Sequence, residues 1–174
     1  MYEKTFPNKR FGHTLEFLQK HISPSESILD LGVENPFSKI MLEQGYNVTN
    51  TTGEDLDLDY SNVTNSEAEV ITAFEIFEHM LAPFNILKEI KAKKLVASIP
   101  LNLWFAPAYR SKTDAWDRHY HEFEDWQFNW LLEKSGWIIK DSAKWTNPIN
   151  KIGLRPLLRK VTPRYYIVYA ERIL

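Results

Sequence analysis

Two short runs of this 174-residue chain concentrate side chains that can do chemistry. The first is Ile28-Leu29-Asp30-Leu31-Gly32, with Glu34 and Pro36 just beyond. Gly32 lets a ligand approach backbone N–H groups closely. Asp30 or Glu34 offers a carboxylate to a cation, directly or through water. A nucleotide pyrophosphate needs further glycines here, because it must rest on a helix N-terminus. Glu34 and Pro36 hold those places instead, and the Glu34 carboxylate would repel the phosphates. The second run is Phe74-Glu75-Ile76-Phe77-Glu78-His79-Met80. Glu75, Glu78 and His79 stand at i, i+3 and i+4, on one side of a helical turn, and His119 and His121 follow downstream. Such a set could pass a proton through His79; spacing alone proves no metal site, and no metal is assigned to it. Nine aromatics crowd the stretch from Trp104 to Trp130. From Trp104 to Tyr120 they follow neither helical nor strand period, which suits a lid over a flat or apolar acceptor as well as a packed loop. Aromatic faces also stabilise a cation.

The elements around these runs follow from hydrophobic periodicity. Phe11, Leu15, Leu18 and Ile22 are spaced as one helix face, closed by Ser23-Pro24. Ser27 to Leu31 reads as a short buried strand. Asn35-Pro36 opens a helix, since Asn caps and Pro is tolerated first, and Gly45 ends it. Tyr46 to Thr51 is a second strand, which completes a parallel strand–helix–strand unit. Glu69 to Phe74 and Lys94 to Ile99 are further strands, with a helix from Ala82-Pro83 through Ile90 between them. A helix from Asp125 to Ser135, with Trp126, Trp130 and Leu131 as its apolar face, precedes strands at Trp137–Ala143 and Tyr165–Glu171. The connection between these last two carries Pro148, Pro156 and Pro163, which oppose regular structure. The alternation predicts an α/β fold with a mainly parallel sheet. Only 17 residues separate the second strand from the strand at Glu69. That is too short for another full crossover, so six or seven strands are expected.

Composition narrows the function classes. The chain has no cysteine, which excludes disulfides, thiolate nucleophiles and zinc–cysteine sites. No apolar run reaches the ~20 residues of a membrane span. Met1-Tyr2-Glu3-Lys4 lacks the layout of a signal peptide, so a cytoplasmic location with no membrane partner is expected. The net charge of −2 is unevenly spread. Asn50 to His79 holds eight acids and no Lys or Arg, whereas the chain from Lys140 onward holds eight bases against Asp141 and Glu171. The acidic region suits a cationic ligand, and the basic one suits phosphate or carboxylate.

In order and spacing, five segments resemble the class I S-adenosylmethionine (SAM)-dependent methyltransferases, especially small-molecule and quinone-biosynthesis-like members, from about Phe11 to Arg172. Ile28–Gly32 is similar to the family's first motif. Phe74–Met80 with Pro83 resembles its fourth-strand segment, and Leu95–Pro100 its fifth strand. His119–Phe123 with Gly136-Trp137 leads into the last two strands, and Tyr165–Glu171 resembles the antiparallel final strand. The resemblance implies a Rossmann-like three-layer sandwich, with an N-terminal helix over residues 1–24, a cofactor half over 25–100 and an acceptor half over 101–174. SAM carries a sulfonium, an ammonium, one carboxylate and no phosphate, in keeping with the charge of the first run. The resemblance places Asp30, Gly32 and Glu34 at its methionine end. Thr52 stands where the family has an acid gripping the ribose, with Glu54, Asp55 and Asp57 beyond it. A hydroxyl makes one such bond, not the bidentate pair of an acid. Asp57, Phe74 and Glu75 complete the expected cofactor set. His119, His121 and Tyr109 are the candidate bases that would deprotonate an acceptor.

The expected activity is methyl transfer from SAM to a small-molecule or aromatic acceptor. Glu34, Pro36 and Thr52 depart from the family pattern and point to the alternative of a binding or regulatory module without catalysis. The Glu75/Glu78/His79 set also resembles the metal-binding residues of small-RNA 3′-terminal ribose methyltransferases. That resemblance implies a third reading, metal-dependent methylation of an RNA end gripped by the basic C-terminal segment. In family members without metal, the same Glu-His pair is expected to order the loop over the cofactor.

Overall fold

A computed structural model describes residues 8–114, 116–148 and 151–173; the Met1–Lys4 stretch lies outside them. The apolar runs become strands β1 (Ser27–Asp30), β2 (Asn47–Asn50), β3 (Val70–Phe74), β4 (Lys94–Pro100), β5 (Trp137–Thr146) and β6 (Pro163–Arg172). They form one sheet in the order β2-β1-β3-β4-β6-β5. β1 pairs in parallel with β2 and β3, and β3 with β4. The last strand, β6, runs antiparallel between β4 and β5. Among the described residues the count is therefore six. The short span after β2 supplies only turns and one helical turn, α3 (Ser61–Thr64).

Helices cover both faces, giving three layers. α1 (Asn8–His21) and α2 (Pro36–Glu43) lie on one side, and α3, α4 (Pro83–Glu89) and α5 (Asp125–Lys134) on the other. Side chains alternate across the sheet with the period of two that a pleated strand imposes. Leu95, Ala97 and Ile99 of β4 face the α4/α5 side, while Val96 faces α1. In β6, Tyr166, Val168 and Ala170 face the α4/α5 side, and Ile167 and Tyr169 the α1/α2 side.

Local chemistry sets the helix ends. Asn35 Oδ1 accepts the backbone N–H groups of Phe37 (2.9 Å) and Ser38 (3.2 Å), while Ser38 Oγ accepts the Asn35 N–H. This closes a capping box in front of Pro36. α5 buries Phe128 and Leu132. Trp126 and Trp130 meet edge to face at 5.4 Å, on its exposed face. The apolar face expected from the tryptophans is thus corrected: the branched aliphatics and Phe128 fit the interior, and the large indoles pair outside.

The proline-rich connection between β5 and β6 also differs from expectation, because it contains helix α6 (Leu154–Val161). Pro156 falls in the first turn, where backbone N–H groups have no intrahelical partner and a missing one costs little. Pro163 opens β6, a position at which proline is tolerated. Among the described residues no helix is long and apolar enough to cross a membrane.

Candidate cofactor and acceptor site

A cleft of about 370 Å³ opens at the carboxyl ends of β1, β3 and β4. Strand order reverses around β1 here, which is where open α/β sheets bind ligands. The volume falls in the ~300–1,000 Å³ range of small-molecule sites.

The tip of β1 is organised by Asp30. Its carboxylate is buried and accepts Thr72 Oγ1 (2.6 Å), Ser38 Oγ (3.0 Å), Asn50 Nδ2 (3.1 Å) and Asn35 Nδ2 (3.5 Å). Burial pushes its pKa up to about 6, against the lowering effect of these donors. Asp30 therefore lashes β1 to β2, β3 and α2 rather than offering a free carboxylate. Gly32 adopts φ +101°, which glycine reaches without strain. Its N–H donates to Thr51 Oγ1 at 2.7 Å.

The tip of β3 turns sharply. Glu75 has φ +60°, a left-handed conformation that is uncommon for a residue with a Cβ. Its N–H donates to the Ser98 carbonyl (2.9 Å), and Ser98 Oγ donates to its Oε1 (3.0 Å). Arg10 from α1 approaches its Oε2 at 3.4 Å. Burial raises the Glu75 carboxyl and Arg10 opposes the rise. One 3₁₀ turn later (Phe77–His79) comes Glu78, whose side chain is 1% exposed and whose Oε2 has no hydrogen-bond partner. Burial, and then Glu75, drive its pKa well above the ordinary carboxyl value.

Residues 117–122 strap this floor. The N–H groups of Tyr120 (2.8 Å) and His121 (3.2 Å) donate to the Glu78 carbonyl. His79 Nδ1 donates to the Arg118 carbonyl at 3.0 Å, leaving Nε2 facing Glu78 Oε1 at 3.7 Å. Burial holds the His79 pKa below the ordinary histidine value. The His119 ring meets His79 edge-on at 4.9 Å, and its Nδ1 lies 3.0 Å from Glu122 Oε1. Glu122 sits below the ordinary carboxyl value: burial raises it, but the His119 bond and the Tyr109 N–H outweigh that. An ionised Glu122 fixes Nδ1 as the N–H and leaves Nε2 as the basic nitrogen of His119. Glu78, His79 and His119 each offer a ligand atom within 4.8 Å of the others. The opposite wall is aromatic: Phe37 packs on Phe11 at 5.3 Å and on Phe74 at 5.0 Å.

Of the residues singled out in the sequence, Asp30, Gly32, Phe74, Glu75, Glu78, His79 and His119 line this cleft. Others lie elsewhere. Glu34 is exposed and pairs with Lys39 at 3.5 Å. Thr52 donates to Glu54 Oε2 (2.9 Å) and accepts from Asn62 (3.3 Å). Asp57 binds the N–H groups of Leu81 (2.7 Å) and Ala82 (2.8 Å), fixing the entry to α4. His121 turns to the Leu81 carbonyl (3.2 Å). Tyr109 stands behind His119, its hydroxyl donating to Asp117 at 2.8 Å.

No protein-family model and no curated protein matches the sequence. Solved structures do. An S-adenosylmethionine-dependent methyltransferase from Mesorhizobium loti matches 90% of this chain and 96% of its own, with TM-score 0.62 and 15% identity. A SAM-dependent methyltransferase from Methanosarcina mazei matches 91% and 97%, with TM-score 0.63 and 12% identity. The fold is that of the class I SAM-dependent methyltransferases. The [4+2]-cyclase SpnF is also similar, over 100% of this chain and 85% of its own, with TM-score 0.64 and 10% identity. The methyltransferase fold thus does not by itself fix the reaction.

Within this methyltransferase fold, α1 contributes Arg10, Phe11 and Thr14 to the cleft, and sequence reasoning missed Arg10 and Thr14. Phe11 was legible only as part of a core face. Nothing in a helical period tells that the first turns of that helix overlie the end of the sheet. Ser98 was hidden in the same way, one polar residue inside a buried strand.

Proposed function

We propose that this chain is a SAM-dependent methyltransferase acting on a small or aromatic acceptor. The observation that carries the reading is the composition of the cleft at the switch point of a methyltransferase fold. It sets a guanidinium, Arg10, and the carboxyls Glu75 and Glu78 against an aromatic wall. SAM needs these counterparts: a cation for its carboxylate, acids for its ammonium, and apolar or aromatic surface for the adenine and sulfonium. Bound SAM supplies an electrophilic methyl group on sulfur. The chain's own residues would hold donor and acceptor in line. His119, its Nδ1 tied to Glu122, would take the acceptor's proton on Nε2. Asp30 acts through the strand tip rather than on the ligand.

Calorimetric titration with SAM and with S-adenosylhomocysteine tests the reading. Binding of both is expected, weakened about tenfold or more in Glu75→Gln and in Arg10→Met, because each removes a charge-assisted contact. Absence of heat with either ligand sinks it. His119→Ala should keep SAM affinity while lowering the rate of transfer.

A second reading is favoured by the unpartnered Glu78 Oε2 beside His79 and His119. A divalent cation there would satisfy the orphan oxygen and take up Nε2 of both histidines. Its chemistry would then be that of a Lewis acid on an acceptor hydroxyl. Titration with Mg²⁺, Mn²⁺ and Co²⁺ distinguishes the two: tight binding abolished in Glu78→Gln supports the cation, and no binding leaves His119 as the base.

A further inference from the structure

The face of α6 is inverted relative to an ordinary surface helix. Its sequence, Leu154-Arg155-Pro156-Leu157-Leu158-Arg159-Lys160-Val161, gathers Leu154, Leu157, Leu158 and Val161 within one arc of the helix. That arc should face the core, yet α6 has no buried residue. Leu154, Leu157 and Val161 are 73%, 59% and 72% exposed, and the neighbouring Ile152 is fully exposed. Leu158, at one margin of the arc, is partly covered, as are Pro156 and Arg159 on the other side of the helix.

Charge surrounds this arc. From Lys151 to Arg164 there are five bases and no acid. Lys140, Lys144 and Arg164 have acidic partners. Among the described residues, Lys151, Arg155, Arg159 and Lys160 have none within 4.0 Å. The crossover also lies at the cleft end of the sheet. Leu101, which follows β4, donates its N–H to the Arg164 carbonyl at 2.7 Å, and its own carbonyl accepts Arg164 Nη1 at 2.6 Å. Trp104, 75% exposed, leaves β4 at that end.

We propose that α6 docks this end of the molecule onto an anionic lipid bilayer, with Leu154, Leu157 and Val161 inserted and the flanking cations on the headgroups. An apolar arc bordered by bases is the layout of a helix lying in the interface, and tryptophan favours the same depth. A phosphate grip on RNA would use the cations but gain nothing from outward leucines. Only the presence of α6 and its outward face reveals the surface, because no apolar run in the sequence is long enough to suggest a membrane. The inference does not depend on methyl transfer.

Co-sedimentation of the full chain tests it, using vesicles of phosphatidylcholine alone and of phosphatidylcholine with about one third phosphatidylglycerol. Binding is expected to the anionic vesicles only, and to fall as salt rises. Removal of each cation in Arg155→Ala or Lys160→Ala should weaken it about fivefold, and Leu157→Glu should abolish it. These positions are exposed, so unchanged circular dichroism confirms that the variants fold. Failure to bind anionic vesicles overturns the proposal, as does binding that survives Leu157→Glu. Self-association lost in Leu157→Glu without vesicle binding would assign the face to a second copy. Binding of an RNA oligonucleotide that is indifferent to Leu157→Glu, without vesicle binding, would assign it to nucleic acid.

Discussion

Asp30 lines the cleft, and its buried carboxylate is engaged by donors from within the fold. Its four donors come from β2, β3, α2 and the α2 cap, so the side chain ties together the elements that frame the cleft. Burial outweighs those donors and lifts its pKa from 3.8 to about 6. For an acid whose folded value is raised, the associated stabilisation is complete below the unfolded pKa and is lost as pH rises through the folded one. The gap between 3.8 and about 6 corresponds to about 3 kcal/mol. The stability of the native chain relative to Asp30→Asn should therefore fall by about that amount from below pH 4 to above pH 6. A carboxyl NMR titration should place the Asp30 midpoint near 6; a midpoint near 4 would show that the donors prevail. The motif around Asp30 was legible because a short apolar strand ending in Asp-Leu-Gly has few other uses. Arg10 was not, since a basic residue next to a core phenylalanine on a helix looks the same whether it meets solvent or a carboxylate. Its partner, Glu75, lies 65 positions away in the chain.

At the scale of elements, the strands and helices were readable wherever a period was sustained, and boundaries moved by one to a few residues. The exceptions are informative. α6 was masked by its prolines, which look disruptive until one of them is placed in a first turn. The inward face of α5 was misread because tryptophan counts as apolar, although Trp126 and Trp130 lie exposed and meet edge to face. Trp137 is the contrary case, a tryptophan that is fully buried where β5 begins. Its Nε1–H donates to the Leu87 carbonyl of α4 at 3.0 Å, and the Arg172 guanidinium lies 5.3 Å from its ring. Arg172 also donates to that carbonyl, at 3.1 Å. Trp137→Phe consequently leaves no orphan acceptor and should cost about 1–2 kcal/mol, mainly lost packing. Trp137→Ala opens a cavity beneath α4 and should cost about 3–5 kcal/mol. Urea denaturation should show the two variants well separated; equal losses would mean that the hydrogen bond matters more here than the volume. Trp137 lies at the end of the sheet remote from the cleft, so neither variant should change ligand affinity.

For the whole molecule, the cleft matters because its walls belong to different layers. Arg10 and Phe11 come from α1, on one face of the sheet, whereas Glu78 is carried by the turn that leads to α4, on the other. His119 comes from the strap joined to that turn by backbone hydrogen bonds. A ligand spanning these groups would connect both layers through the strand tips, and the connection would exist only in the folded chain. Binding must then stabilise the fold as a unit, by about 2.7 kcal/mol when free ligand exceeds its Kd by about a hundredfold. For a chain of this size that corresponds to a rise in Tm of about 5–10 °C. Thermal unfolding with SAM or S-adenosylhomocysteine should show this rise, and Arg10→Met should remove most of it at the same ligand concentration. Hydrogen exchange should report added protection in both α1 and the 117–122 strap, since neither wall can close on the ligand without the other. Protection confined to one wall would place the ligand on that layer alone and separate the cleft from the function proposed for it.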